Sequence, residues 1–492
     1  MIKIWEEILH TAIIGTEKKQ VNTAVLPEEF ISMVGQLKLR GDKESQFLAL
    51  TSLVRGYRKG SFQVSKASVP NLPPCPAEHK SYINSQTLAS LQAVLGEENN
   101  SLLFWWLLFC TKNNLVVNPE YIPTLMKIAE INTELRDMIL ACCGKRGEWL
   151  ATFNSKWNFS KQESISDQFD RGRPEERKKA FTLWRLIAAD EAREALIKTW
   201  KEEQAATKAD FLALLENNLN TADESFLKDV LKEKSQKVKD VALKLLKQLP
   251  TSFVVKEIWD FVSPLVTIKK ESSMLGLVSK ESIHINLSFE IPLQFRSYGI
   301  SHIDANKLYS EKEFTMSQMM GMIPLFFWEH HFQMKAAQIL DLFHKKTNTE
   351  KFISSFASAA NTFKNVEWAL ILYTKYKKLC LDVVDQFERP LQEEVALEVW
   401  GNQTLDFYTL LPGKEKEWSE QFVLSLLLKT SQDPYRYGRN FYKNIVHHIP
   451  VSILSKLDAL EQPDFTKKDY HDSIISDLKK MLSIKHLINQ SF

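Results

Sequence analysis

The chain has 492 residues, with 63 Lys plus Arg against 61 Asp plus Glu and a net charge of +2, a balance that excludes a global pull toward nucleic acid or anionic membrane and leaves any such binding to a local patch. Its 15 Gly and 17 Pro are too few for a many-turned all-β chain or for long disordered tracts. Length alone points to roughly three domains, although a solenoid evades that count because it grows without a single core.

At the start, Trp5, Ile8, Leu9, Ala12 and Ile13 fall on one helical face before Gly15, and Gly15 suits a helix C-cap because glycine tolerates the left-handed conformation. The first residues lack a long apolar core and a small-residue cleavage site, so a cytoplasmic protein is expected. Residues 1–66 read as an N-terminal helical segment. Residues 67–83, with Pro70, Pro73, Pro74 and Pro76, read as an irregular connector. Cys75, Cys110, Cys142, Cys143 and Cys380 are odd in number and include no C-x-x-C pair, so reduced thiols are expected, with neither a disulfide framework nor a zinc knuckle. The apolar run Leu102 to Cys110 is under half of the ~20 residues that span a bilayer and reads as a buried helix.

Arg171 to Pro250 is the most regular stretch. Pro174 with Glu175 and Glu176 opens a helix whose face carries Phe181, Leu183, Trp184, Ile187 and Ala188. Ala192, Ala195, Leu196 and Trp200 mark a second helix, and Phe211, Leu212, Leu214, Leu215 and Leu219 a third. Thr221 with Glu224 has the spacing of a capping box before Phe226, Leu227, Val230 and Leu231. Ser235 then precedes the cleanest pattern, Val238, Val241, Ala242, Leu245, Leu246 and Leu249, with Lys239, Asp240, Lys244 and Lys247 opposite and Pro250 as the stop. Short helices with one apolar stripe each are stable when stacked in pairs, which predicts HEAT-like helical repeats over 84–261.

Ile283 to Ile291 instead alternates apolar and polar residues strictly, the period of a half-buried strand. It needs a partner, available in Val262 to Lys280 or Phe295 to Ile303, so 262–313 is expected to be a β-containing joint. The helical pattern resumes over 314–492. The fold class is therefore mainly α, a HEAT-like α-solenoid of stacked helical hairpins with a small β insert near 262–303.

Chemical motifs do not emerge. Glu329-His330-His331 with His344, and His447-His448, lack the i, i+4 histidine pair that places two imidazoles on one helix face. Gly15-Thr16-Glu17-Lys18 lacks phosphate-loop spacing, and no G-x-S-x-G elbow occurs. No catalytic residue, cofactor or metal ligand is assigned, and the chain is not expected to be an enzyme. Two surface features remain. Seven lysines between Lys228 and Lys247 are interspersed with acids and carry no stacking aromatic, which favours a solvated face over a nucleic-acid site. Tyr435, Arg436, Tyr437 and Arg439 interleave arginine with aromatic rings ahead of Phe441 and Tyr442, a composition found at interface hot spots, at RNA contacts and in ordinary packing.

A last block, Gly144-Lys145-Arg146-Gly147-Glu148-Trp149-Leu150 followed by Asn154, Trp157 and Asn158, reads as a turn-like region presenting Lys145, Arg146, Trp149 and Trp157. Together with Ala12-Ile13-Ile14-Gly15-Thr16, Glu175-Glu176-Arg177 and Asp223-Glu224-Ser225-Phe226-Leu227, it resembles an uncharacterised bacterial helical-repeat family, a domain of unknown function. That family is encoded beside MoxR-type AAA+ ATPases, von Willebrand factor A domain proteins and SWIM zinc-finger proteins. The resemblance implies a partner context and no reaction. The expected role is a non-catalytic scaffold or adaptor for such proteins. A nucleic-acid-binding α-solenoid and an enzyme with residues assembled from distant repeats are the alternatives.

Overall fold

Apolar residues at three- and four-residue spacing are realised as helix along most of the chain. The computed structural model describes residues 2–26, 28–37, 41–60, 73–159, 164–272, 279–301, 303–304, 308–400, 409–459 and 468–492. They divide into two units, Met1–Cys75 and Pro76–Phe492.

The first unit holds α1 (Ile2–Ile14), α2 (Ile31–Leu37) and α3 (Lys43–Gly60) around Ile4, Ile8, Leu26, Phe30, Val34, Leu50 and Val54. The face of α1 differs from the expected one: Ile4, Ile8 and Thr11 are buried while Leu9 and Ile13 are exposed. Apolar residues lie on both sides of this helix, so periodicity could not choose between two overlapping stripes. Gly15 does end the helix, with φ +96° and its N–H donating to Thr11 O at 2.9 Å.

Of the expected connector, 67–72 lie outside the described residues, and Pro73 to His79 form no regular element. The second unit continues through α4 (Ser85–Glu97), α5 (Asn100–Lys112), α6 (Ile122–Ile131), α7 (Arg136–Ala151), α8 (Ile165–Arg171), α9 (Pro174–Ile187), α10 (Ala189–Thr199), α11 (Ala205–Leu214), α12 (Asp223–Val230), α13 (Gln236–Gln248) and α14 (Phe253–Val262). Beyond the β segment come α15 (Leu293–Ser297), α16 (Glu311–Gly321), α17 (Leu325–Phe332), α18 (Ala336–His344), α19 (Thr347–Glu350), α20 (Ile353–Thr362), α21 (Val366–Tyr376), α22 (Arg389–Glu398), α23 (Glu420–Ser431), α24 (Arg439–Ile445) and α25 (Lys468–Ser491). Neighbours in sequence pack on one another, as α9 does on α8 and α10, and α13 on α11 and α12. One apolar core runs from Ile83 to Ile488, so the stretches 84–261, 262–313 and 314–492 share it. This is a mainly α fold with a small β insert.

Within α9 to α13, Ala192, Leu196, Phe211, Leu212, Leu215, Phe226, Leu227, Val230, Val238, Ala242, Leu245, Leu246 and Leu249 are buried as the pattern required. On α9 the outcome differs: Ala180, Phe181 and Arg185 are buried, while Leu183, Leu186 and Ile187 are exposed. The capping box is also absent. Ala222 is the N-cap residue of α12 and makes no side-chain cap, and Glu224 reaches forward to accept the Phe253 N–H at 2.9 Å at the start of α14. Ser235 does sit at the N-cap of α13, without a side-chain hydrogen bond.

The insert is an antiparallel pair, β3 (Val266–Ser272) with β4 (Ser279–Ile285), in the register Val266 to Ile285 and Ile268 to Ile283. A smaller parallel pair joins β1 (Ser81–Tyr82) to β2 (Leu115–Val116). Alternation extends beyond β4, with Phe289 buried between exposed Ser288 and Glu290, yet among the described residues 286–291 form no strand, and Asn286 N–H donates to Leu265 O at 2.8 Å where the pair ends. Of the two expected partners the first is used, and the second begins inside α15 (Leu293–Ser297).

The last helix returns to the first two of its unit. Thr87 Oγ1 on α4 donates to Ser491 O at 2.7 Å, Trp105 Nε1 on α5 donates to Asn489 Oδ1 at 2.9 Å, and Trp106 meets the Phe492 ring edge-on. This is why the Leu102 to Cys110 run is buried: α5 faces α4, α7, α24 and α25. Among the described residues no helix is long and apolar enough to cross a membrane.

Candidate functional site

The lysines of 228–247 are largely spoken for. Lys232 pairs with Asp229, Lys244 with Glu216, Lys228 lies over the Phe253 ring, and Lys247 donates to Tyr298 O at 3.0 Å. Burial pulls the Lys247 ammonium below its usual pKa.

The Gly144 to Asn158 block, expected to be turn-like, divides in two: 144–151 are helix, and 152–157 are turns and loop. Helix α7 enters it with one break at Gly144, φ +56° and ψ −156°, a conformation glycine adopts without a Cβ penalty, and ends at Ala151. The break has a cause. Glu78 accepts the Lys145 N–H at 2.7 Å through the face where a Cβ on Gly144 would lie 2.1 Å from its Oε2. Backbone N–H groups of Lys80, Lys145 and His79 outweigh the partial burial of Glu78 and hold its carboxyl below the usual range. Lys145 pairs with Glu148 at 2.8 Å, Arg146 is exposed, Trp149 meets Phe153 edge-on, and Trp157 Nε1 donates to Glu130 at 2.5 Å while its ring packs on the core. Trp157 is thus a packing residue, and of the four candidates Lys145, Arg146, Trp149 and Trp157 the exposed ones are Lys145 and Arg146.

The second patch is equally divided. Tyr435 is exposed and stacks on Tyr470, Arg436 lies over the Tyr437 ring, and Tyr442 is buried with its hydroxyl bonded to Thr430. Arg439 donates to Glu97 at 2.8 Å and lies 3.4 Å from Asp477, which ties α24 to α4 and α25. Burial works to raise the Glu97 pKa, and the hydrogen bonds from Lys480 and Arg439 overcome it, so its carboxyl stays below the usual range.

Neither patch is a concave site, but elements that flank both enclose one. A cleft of about 610 Å³ lies between the start of α5, the α6–α7 corner, the 411–414 segment and the end of α24, a size in the range of small-ligand sites. Its polar residues include Asn100, Asn132, Asn444 and His447, and its apolar wall includes Phe104, Leu135 and Leu411. Lys414 pairs with Glu134 at 2.8 Å at its edge. His447 and His448, set aside in sequence for want of metal-ligand spacing, are buried here. Burial takes His447 down to about 3 and His448 down to about 4, with mutual repulsion helping in His447, so both rings are neutral at pH 7. The His448 ring stacks on Trp418 at 4.6 Å and its Nδ1 bonds Lys416 O at 2.7 Å. Beneath them Lys485, fully buried, donates to His447 O, Ile449 O and Glu417, each at 2.7 Å, and lies over the Trp105 ring. Burial lowers its ammonium to about 8, which leaves it protonated at neutral pH among three acceptors. Among the described residues no group of three or more His, Cys, Asp or Glu could hold a metal ion.

A further buried network escaped the sequence reading. Arg185 and Asp223, both fully buried, pair in two-pronged fashion at 2.8 and 3.1 Å. Arg185 also donates to the carbonyls of Ala189, Leu215, Asn217 and Asn218, and Arg193 approaches Asp223 at 3.4 Å. The one available signal was an arginine at a position of α9 where the Phe181 face called for an apolar residue.

Comparison with curated proteins and with solved structures gave no match. The profile of DUF5691, a family of unknown function, matches residues 7–492, nearly the whole length, and the chain belongs to that family.

Proposed function

We propose that this protein is a non-catalytic helical scaffold for protein–protein interaction, built on solenoid-like stacking of its helical pairs. The observation that carries the reading is the outer face of α9. Leu183, Leu186 and Ile187 sit at i, i+3 and i+4 and are 51, 59 and 73% exposed, so they form one apolar strip in water. Aliphatic side chains grouped in this way mark interaction sites more often than scattered ones do. The resemblance noted above supplies the partner class: a MoxR-type AAA+ ATPase, with von Willebrand factor A domain and SWIM zinc-finger proteins as further members of the assembly.

The test is crosslinking of the purified chain to a purified MoxR-type ATPase with ATP, with ADP and without nucleotide. Crosslinking is expected in at least one nucleotide state, and Leu186→Glu should abolish it while leaving stability within about 0.5 kcal/mol, as surface substitutions do. No crosslink in any state, or a crosslink indifferent to Leu186→Glu, would reject the reading.

A further inference from the structure

The cleft between α5 and the end of α24 has a charge balance that narrows its occupant. Among the described residues its charged lining residues are Lys414 and Glu134, which neutralise one another. Its two imidazoles are uncharged at neutral pH, and the Lys485 ammonium beneath is fully buried and already engaged by three acceptors. Among the described residues a phosphate or carboxylate would therefore find no spare cation, and at the α5 N-terminus the Asn99 side chain already takes the N–H groups of Ser101 and Leu102.

What the cleft does offer is neutral hydrogen bonding beside an apolar wall. Asn100 and Asn444 are exposed at its lining. His447 is 8% exposed, and its Nδ1 is buried without a hydrogen-bond partner. An orphaned ring nitrogen at the wall of a cleft is hydrogen-bonding capacity left unused. Carboxamides supply a donor and an acceptor side by side, the complement of a peptide group, and Phe104 and Leu135 face the same space. Lys485 fixes the backbone carbonyls of residues 447 and 449 from below, so the wall is set before anything enters.

We propose that this cleft docks a short, uncharged peptide segment of a protein partner, its main-chain amides read by Asn100, Asn444 and His447 and one aliphatic side chain taken by Phe104 and Leu135. The assignment rests on the scaffold reading, and it locates a contact separate from the α9 strip.

The experiment is selection of a random heptapeptide library on the full-length chain, followed by affinity measurement with blocked synthetic peptides. Enriched sequences should centre on an aliphatic residue flanked by uncharged ones. Asn444→Ala and His447→Phe should each weaken them by about tenfold or more, Asn444→Ala without shifting the unfolding midpoint, and the surface control Lys232→Ala should leave the affinity unchanged. Because Asn444 is exposed, its variant keeps the test valid if His447→Phe folds poorly. No enrichment, or peptides that bind Asn444→Ala as well as wild type, would overturn the proposal. So would binding of AMP that depends on Asn444 in place of peptide binding, which would make the cleft a nucleobase site. Cleft-dependent peptides with no crosslink to a MoxR-type ATPase would reject the partner assignment alone, and the reverse pattern would reject the cleft alone.

Discussion

Two regions of the second unit bury a cation among backbone carbonyls, and they resolve its charge differently. In the α9–α12 region, Arg185 meets four carbonyls and a two-pronged Asp223 carboxylate, and its fork of donors is fully used. Where α25 closes on α4 and α5, Lys485 meets two carbonyls and Glu417, a partner whose side chain is 35% exposed, and the adjoining His447 keeps an orphaned nitrogen beside a cleft. The first arrangement is saturated and acts as a staple. The second is saturated on one side only, which is where a binding site can exist, because unmet hydrogen-bonding capacity is affinity held in reserve.

The comparison breaks first at Asp223. Asp223→Ala strands a fully buried guanidinium, and loss of one partner of a buried pair costs about 3–5 kcal/mol. The urea midpoint should fall sharply. The double variant Arg185→Met with Asp223→Leu should recover part of the loss, since removing both charges removes the stranded one. A midpoint equal to wild type for Asp223→Ala would show that the staple is dispensable.

Acid should act on the other region. His447 and His448 have folded values of about 3 and 4, below the ~6.5 of an unfolded histidine. Both are depressed, so the unfolded chain takes up protons first as the pH falls. Their contribution is complete above pH 6.5 and is lost on acidification through the folded values, at up to about 1.4 kcal/mol per pH unit for each ring. A loss of about 2–3 kcal/mol between pH 6.5 and 5 is expected in denaturant titrations, with a flatter profile for His447→Gln. The carboxylates held low, such as Glu97 and Glu78, lose their contribution only at lower pH, which keeps this window specific to the histidines. An unchanged slope in His447→Gln would detach the ring from the effect.

How far each region was legible follows from the range of its contacts. The α13 stripe could be read because one helix repeats its own face: Val238, Ala242, Leu245, Leu246 and Leu249 are buried as the spacing requires. The β3–β4 pair was visible through its period of two, with a partner close in sequence. On α9 the same reasoning misplaced the face, because Arg185 replaces an apolar residue in the buried row and its partner Asp223 lies 38 residues away. The closure of α25 on α4 left no local trace, since Thr87 and Ser491 are separated by 404 residues. His447 and His448 carried no motif because their character comes from burial by distant helices, which lowers their proton affinity without any local pattern.

Lys485→Met sharpens the comparison at a smaller scale. It leaves the carbonyls of His447 and Ile449 without their donor, at a cost of about 2 kcal/mol. The cost is less than at Asp223 because Glu417, partly exposed, can rehydrate where Arg185 cannot. A loss as large as that of Asp223→Ala would mean that Glu417 is as strongly committed as Asp223, and the contrast between the regions would vanish.

The smallest effects separate two arginines that composition alone made equivalent. Arg439 is half-exposed, yet it reaches Glu97, a carboxylate 3% exposed, together with Lys480 at 2.5 Å. Arg439→Ala removes one of two cations from that carboxylate and loosens the tie of α24 to α4, so a loss of about 1 kcal/mol is expected, along with a weaker salt dependence because one screened ion pair has gone. Arg146 is exposed on α7, and Arg146→Ala should leave the unfolding midpoint within about 0.5 kcal/mol of wild type. If instead Arg146→Ala destabilises and Arg439→Ala does not, the closure of the C-terminal helices on α4 does not depend on its ion pairs, and α7 is held by its outer surface as well as by the contact of Glu78 with the backbone after Gly144.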